Sequence, residues 1–537
     1  MWLFSARKTL QSKSARRVRP TCKPRLEALE DRCLLSAGAL DPTFGTGGIV
    51  TTAVSKSNND YDYGVLLQSN GDIIAYGSSY AKHQGIFAMT RYTPSGSLDT
   101  TFGSGGIVTT SFKLTNDGIV AAALQSDGKI VAAGDFHLIR YNTNGSVDQT
   151  FGSNGVVTYP SGFSAGSVLI QPSNGDIVLG GGSYQVLGTA LNRFDLLRYT
   201  PTGALDSTFG IGGEVMTPFG GTYLPSLQGL ALENGHIVAG GFVSTGGGGA
   251  GTHLWALARY NDDGSLDTTF GPSGTGTLTT AVGNGYSGTT VNALVVQTNG
   301  EIVAVGQAFS VSSDTAEWTL ARYDTLGNLD STFGSGGIVS NSFTAGGDLA
   351  SSAALQANGQ IVVVGYNTGF EVGRYNADGS LDTTFGSGGA VTTSVGVQPT
   401  GVVIQTNGKI VVAGATVING KFDFMLARYL PSEPEIGSFT ANPNPVTVGS
   451  SVTLSASSIT DGNPNSTITQ VAFYVDSNSD GKLDAGDLLL GYGTQANGVW
   501  IYTFTVNLAS GNYTLFAQAE DSYGVFGDAS ATTLYVT

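Results

Sequence analysis

Seven Arg-Tyr dipeptides recur along this 537-residue chain, and six of the arginines are followed eight residues later by an aspartate. The pairs are Arg91/Asp99, Arg140/Asp148, Arg198/Asp206, Arg259/Asp267, Arg322/Asp330 and Arg374/Asp382. Asp41 has no arginine upstream of it, and Arg428 has no aspartate downstream. A linear stack gives no reason for complementary orphans at its two ends. A ring does, because its last unit is completed by its first segment. The pattern predicts a closed seven-bladed β-propeller over residues 40–430, with Arg428 and Asp41 as the seventh pair.

Three landmarks repeat in fixed order. Asp-x-Thr-Phe-Gly begins at Asp41, Asp99, Asp148, Asp206, Asp267, Asp330 and Asp382. An Asn-Gly or Asp-Gly step follows at Asn70, Asp127, Asn174, Asn234, Asn299, Asn358 and Asn407, each between apolar runs. Such steps favour the positive-φ geometry of tight hairpins, so each joins two antiparallel strands. The third landmark is the strand ending in Arg-Tyr. Taking residues 294–339 as the template, the unit has strands near 294–297, 301–305, 318–323 and 337–339. Four strands in a repeat of this length is one propeller blade. With 79 glycines and only 12% charged residues, the composition suits an all-β chain rich in turns.

The stretches Asp127–Gly134, Asn407–Gly414 and Gly379–Gly386 carry the pattern Asp-Gly-Lys-Ile-Val-x-x-Gly and Gly-Ser-Leu-Asp-x-Thr-Phe-Gly. They resemble the delta-60 repeat family, which implies the repeat architecture and no established activity.

The arginine ends the third strand, and a glycine-containing turn follows before the aspartate. This places a guanidinium opposite a carboxylate, where a bidentate pair can lock the turn. The phenylalanine of Thr-Phe-Gly is expected to pack between blades, contributing roughly 1.5–3 kcal/mol each. A ring of seven ligand-binding arginines is the functional alternative, but a residue repeated in every unit usually serves the unit.

Loop lengths say where ligands would bind. From turn glycine to arginine the separation runs from 12 to 24 residues, and from aspartate to turn glycine from 26 to 33; the arginine-to-aspartate link never varies. The two variable connections emerge on one face of an antiparallel ring and the constant turns on the other. Binding loops are expected on the variable face, the longest being Gly181–Asn192, Gly241–Thr252 (containing Gly246–Gly249) and Gln307–Glu317. Unselected drift on a bare surface is the competing explanation.

Charge is divided unevenly. Residues 1–37 hold nine of the 24 basic residues and three of the 40 acidic ones, so the remainder carries a net charge of −22. Such a body repels nucleic acid and anionic membranes. No apolar run is long enough to span a bilayer. Both cysteines, Cys22 and Cys33, lie in the basic leader. The leader lacks the apolar core of an ordinary signal peptide. Its segment Leu29-Glu30-Asp31-Arg32-Cys33-Leu34-Leu35-Ser36-Ala37 resembles the LEPR-XLL segment of planctomycete surface and secreted proteins, with aspartate where that pattern has proline. The resemblance implies export to the envelope or beyond. A short amphipathic helix capping the array is the alternative.

After the array, Pro431, Pro434, Pro443 and Pro445 mark a linker and domain start over 431–446. Alternating strands across 435–537 predict an immunoglobulin-like β-sandwich, here without a disulfide, and the segment resembles the Ig-like modules appended to bacterial surface proteins. Within it, Asp476, Asn478, Asp480, Asp484 and Asp487 fall at positions 1, 3, 5, 9 and 12 of a twelve-residue loop with glycine at position 6. That is calcium-loop spacing, in which Lys482 at position 7 would offer its backbone carbonyl. Strands flank the loop instead of helices, and Asp487 replaces the usual glutamate. A structural calcium clip is expected rather than a sensor; a solvated acidic turn is the alternative.

Four scattered histidines (His83, His137, His236, His253) form no repeated motif. The sequence shows no nucleophile elbow, zinc-hydrolase motif or phosphate loop, and no catalytic residue is assigned. The function expected is that of an exported, monomeric surface or secreted binding protein, directed to protein or polysaccharide through the variable face. A carbohydrate-active lyase or glycoside hydrolase using that face is the alternative.

Overall fold

The structure is a computed structural model. It describes residues 37–537 apart from 82–83, 113–116, 161, 184–192, 220–223, 245–251, 284–288, 310–314, 345–346, 368, 462–466, 480, 485 and 523–524. The leader therefore lies outside the described residues up to Ser36, as do His83, Gly246–Gly249 and the tips of the three longest loops. Among the described residues there are strands and turns but no helix, and so none long and apolar enough to cross a membrane.

Residues 37–431 form a closed seven-bladed β-propeller. The first blade is built in chain order from Asp60–Leu67, Ile73–Ala81, Gln84–Tyr92 and Ile107–Thr110. Each of the next five repeats this meander. The last is different: Val397–Ile404, Ile410–Ile418 and Lys421–Tyr429 take their outer strand from the start of the array, Ile49–Thr52. The register Ile49↔Ala427 through Thr52↔Phe424 closes the ring. Circularity also abolishes two free sheet edges that a spiral would expose.

Closure begins earlier than the expected boundary at residue 40. Ala37, assigned to the leader from sequence, is 1% exposed, and its carbonyl accepts the Gly386 amide at 2.9 Å. In the other seams that acceptor is a carbonyl from the turn of the next blade, as in Gly103 to Asn144. Gly38 donates to Leu430 O, Leu430 to Ala39 O, and Asp41 to Arg428 O. The seventh turn is thus split, with Tyr429–Pro431 supplying its first half and Gly38-Ala39-Leu40-Asp41 its second.

The core lies between blades. Seven apolar clusters occupy the seven seams, including one that joins Val65 and Ala88 of the first blade to Phe44, Val411, Phe424 and Leu426 of the last. In six blades a β-bulge interrupts the pairing of the first and second strands, as between Asp62 and Gly64. The glycine that ends the repeat's Ile-Val-x-x-Gly pattern lies beside it. A Cβ on Gly77 would stand 2.0 Å from Tyr61 O, and one on Gly306 1.9 Å from Thr290 O. Only glycine admits that carbonyl.

Residues 434–537 form two packed four-stranded antiparallel sheets. One has the order Pro434–Asn442, Ser451–Asp461, Val499–Thr505, Thr494–Ala496; the other Leu488–Tyr492, Ile468–Val475, Gly511–Asp521, Ser530–Val536. This is the immunoglobulin-like arrangement. Tyr513, near the start of its strand, donates to Ala509 O at 3.0 Å, the corner bond typical of such sandwiches. Val452, Phe473, Trp500 and Leu515 fill the core. The stretch read as a linker over 431–446 is mostly strand. Pro434 sits at the first position of an edge strand, where no ladder donor is required of it.

Candidate functional site

The constant face is assembled from the Arg-Tyr and Asp-x-Thr-Phe-Gly motifs, and the arginine, aspartate and threonine of all seven are engaged with one another. In each unit one aspartate oxygen accepts from the arginine; for Arg428 and Asp41 both Nε and Nη2 lie 2.8 Å from Oδ2. This differs from the parallel two-oxygen pairing expected from sequence. The other oxygen is already taken by the threonine two residues on, through its amide and hydroxyl, as Thr43 does at 2.9 and 2.7 Å. All seven units repeat this cap. The guanidinium stacks over the phenylalanine of its own motif, from 4.5 Å (Arg428 over Phe44) to 4.8 Å (Arg322 over Phe333).

Each arginine also ties its blade to the next, and five of the tyrosines tie it to the one before. Arginine Nη1 donates forward to a turn carbonyl of the next blade: Arg259 to Thr325 O and Arg322 to Ala377 O, each at 2.6 Å, and Arg428 around the seam to Pro94 O. In five blades the tyrosine donates backward to a threonine on the outer strand of the preceding blade, as Tyr92 to Thr52 and Tyr429 to Thr393, each at 2.8 Å, whereas the buried Tyr375 hydroxyl has no hydrogen-bond partner among the described residues. Sequence reasoning paired arginine with aspartate but missed the tyrosine, the threonine cap and the forward bond. The invariance of the Arg-Tyr dipeptide was the available signal.

Electrostatics fit a structural role. Burial acts to raise the Asp41 carboxyl, but hydrogen bonds from Lys409 and Thr43 and the charge of Arg428 bring it below the usual carboxylate range. The Thr150 hydroxyl leads a set of bonds and charges that hold Asp148 far below that range. These carboxylates are ionised and committed.

The opposite face carries the variable connections, and there the blade-to-blade loops meet the turns between second and third strands. Asp117 accepts from the Asp135 amide at 2.7 Å and lies 2.6 Å from Nδ1 of His137, which stacks on Phe112 with centroids 4.0 Å apart. Burial pushes the Asp117 carboxyl up, with His137 opposing it. Asn367 donates to Gly347 O at 2.6 Å. Asp348 and Glu371, 0% and 1% exposed, bring two carboxyls together in the sixth blade. Burial first, and then Asp348, push the Glu371 carboxyl up to about 7. Asp348 in turn accepts the amides of Phe343 (2.5 Å) and Thr344 (3.1 Å). Such a buried pair is a loop closure and not a surface to which a substrate has access.

Of the histidines weighed from sequence, His253 stacks on Phe242 at 4.8 Å, and burial lowers its pKa. His236 lies on the constant side, 3.5 Å from Asp267.

In the C-terminal module the twelve-residue loop joins Ile468–Val475 to Leu488–Tyr492. Asp476 and Asp487, each 7% exposed, stand at its two ends. Asp476 accepts the amides of Ser479 (2.7 Å) and Gly481 (3.1 Å), and Asp487 those of Ser477 and Asp484, each at 3.0 Å. Asn478 Nδ2 lies 3.3 Å from both Asp484 oxygens. Asp480 is outside the described residues. Among the described residues no three His, Cys, Asp or Glu side chains gather as a metal-binding group. The carboxylates are nevertheless held turned into the loop, and each bonded oxygen keeps a second lone pair.

The fold and its repeated clamp define a closed β-propeller built from seven copies of one blade. Residues 68–102, 125–151, 173–209, 232–270, 297–333, 356–385 and 405–432 match a family described as "Domain of unknown function (DUF5122) beta-propeller", one match to each blade. Comparison with curated proteins found no match. Among solved structures, the chain is similar to a fungal alcohol oxidase in complex with copper (13% identity, 92% of this chain and 100% of that one, TM-score 0.43). It is also similar to the β-propeller domain of the Trilobed protease from Pyrococcus furiosus (8% identity, 69% and 94%, TM-score 0.38). A third is a putative gluconolactonase (11% identity, 74% and 99%, TM-score 0.32).

Proposed function

We propose that this chain is an exported, monomeric surface or secreted binding protein, taking protein or polysaccharide on the variable face of its propeller. The observation that carries the reading is the asymmetry of the two faces. On the constant face the arginine, aspartate and threonine of every motif are spent in the clamp that joins each blade to the next. On the other face the connections differ from blade to blade in length and side chains, so one template supports seven distinct loops. Export is supported by the leader's resemblance and by the appended Ig-like module.

A glycan array and a panel of envelope proteins, probed with the full chain, test the reading. Retention without new reducing ends is the expected result; cleavage of a retained glycan would favour a hydrolase or lyase instead. A bulky polymer attached through a cysteine at Phe136, 47% exposed on the variable face, should reduce binding. The same polymer at Ile211, 92% exposed on the constant face, should not.

The reading includes a structural calcium ion held by Asp476, Asn478, Asp480, Asp484 and Asp487 with the Lys482 carbonyl, stiffening a strand connection of the sandwich. Calorimetry of the full chain should show calcium uptake that is lost in Asp476→Asn and in Asp480→Ala. Absence of uptake by the unaltered chain would remove the ion from the account.

A further inference from the structure

At the closing seam, on the variable face, the first and last blades enclose a cleft of about 620 Å³ lined by Ser57, Asn58, Asn59, Tyr61, Tyr63, Tyr80 and Lys421. Its floor and walls come from three places in the chain: the blade-to-blade connection before Asp60, the first two strands of blade one, and the hairpin at Lys421.

The cleft is held in shape. Asp60 closes the connection by accepting the Ser55 amide at 2.9 Å, and Asn58 Nδ2 donates to Ser55 Oγ at 2.9 Å. Asn59 spans the seam: its side-chain oxygen accepts the Phe422 amide at 3.2 Å, and its carbonyl accepts the Tyr80 amide at 3.0 Å. Lys421 Nζ donates to Lys56 O at 3.1 Å. Tyr61 packs edge-on against Tyr80 (5.5 Å, 87°) and is backed by Phe422 at 4.9 Å. Tyr63, the extra residue of the bulge between Asp62 and Gly64, is 40% exposed.

We infer that this cleft is a binding subsite for a neutral saccharide chain; the inference rests on the reading of the variable face as a ligand surface and gives that ligand a chemical class. Three tyrosines offer apolar ring surface with a hydroxyl at its rim, which suits a pyranose that has C–H bonds on its faces and hydroxyls around its edge. Asparagine side chains donate and accept together, matching vicinal hydroxyls, and lysine adds donors. Charge narrows the class. An aromatic cage alone would suit an organic cation, but Lys421 in the wall repels one. A polyanion meets a body whose net charge outside the leader is −22. The volume exceeds what a single small ion fills and falls in the range of small-molecule sites.

The test is affinity electrophoresis of the full chain in native gels containing a soluble β-glucan, a xylan or a galactomannan, with polygalacturonate as the acidic arm. Titration with choline chloride is the cationic arm. Retardation by at least one neutral polysaccharide is expected, weakened about tenfold or more in Tyr63→Ala and in Lys421→Ala, and retained in Tyr63→Phe. Tyr63 is half-exposed, and an unchanged melting temperature in each variant separates lost binding from lost folding. Retardation that survives Tyr63→Ala places the ligand elsewhere on the face, overturning this site while leaving the binding reading intact. Retardation only by polygalacturonate, choline uptake that Tyr63→Ala abolishes, or no retardation by any neutral polysaccharide would each overturn the saccharide assignment.

Discussion

One arginine in each blade makes a charged bond within its turn, a stack on its own phenylalanine and a hydrogen bond into the next blade, and in five blades the tyrosine beside it reaches back to the blade before. The energetic consequence is sharpest where no neighbouring repeat supplies a spare. Asp41, 1% exposed, carries both Arg428 and Lys409, each 2.8 Å from the same oxygen. Asp41→Ala leaves two buried cations without a counter-charge, and a loss of about 3–5 kcal/mol is expected. A large fall in the melting temperature on thermal unfolding is the check; an unchanged one would contradict the clamp. Arg428 and Asp41 were legible as partners because spacing alone exposed them as orphans. The threonine cap was not, since Asp-x-Thr reads equally as turn composition. The occupied second carboxylate oxygen is what sets the cap apart from an ordinary turn.

At the scale of the blade, the element most sensitive to conditions is the connection into the sixth. There Asp348 closes the loop before Leu349–Leu355 and meets Glu371 on Phe370–Tyr375. Glu371 is raised from 4.5 to about 7, so the native state holds its proton more tightly than the unfolded chain. This contribution is fully present below about pH 4.5 and is lost as pH rises to 7. Glu371→Gln keeps the shape without the charge. Its melting temperature, relative to the unaltered chain, should rise more at pH 8 than at pH 5; an equal change at both would contradict the pair. Little of this could be read from sequence, because Asp348 and Glu371 lie 23 positions apart and join no repeated motif. The strands themselves were legible, since Asn-Gly or Asp-Gly steps and Arg-Tyr ends recur in every unit. The bulge beside Gly77 and its equivalents was not, because a glycine in a strand does not announce which carbonyl it admits.

Over the whole molecule, the ring makes two faces of unequal freedom from one repeated unit. The constant face is consumed by the joints between blades, which leaves the opposite face able to change loop by loop without loosening the ring. The sequence showed this division through its loop lengths. It could not show that Ala37 and Gly38 enter the seam, because their partners, Gly386 and Leu430, are nearly 350 and 400 residues away. Nor could it place Tyr61, Tyr63 and Tyr80 around one cleft with Lys421. The cleft exists only because the ends of the array meet, so the saccharide inference and the two-faced reading both depend on circularity.

Lys56 and Lys421 give direct access to that claim. They lie on the two sides of the seam, the ammonium of one bonded to the backbone of the other. Nitroxide labels on cysteines at both positions, with Cys22 and Cys33 replaced by serine, would report their separation by electron paramagnetic resonance. A closed ring requires strong dipolar broadening relative to the summed spectra of the two singly labelled chains. A doubly labelled spectrum identical to that sum would place the ends apart and contradict the propeller's closure.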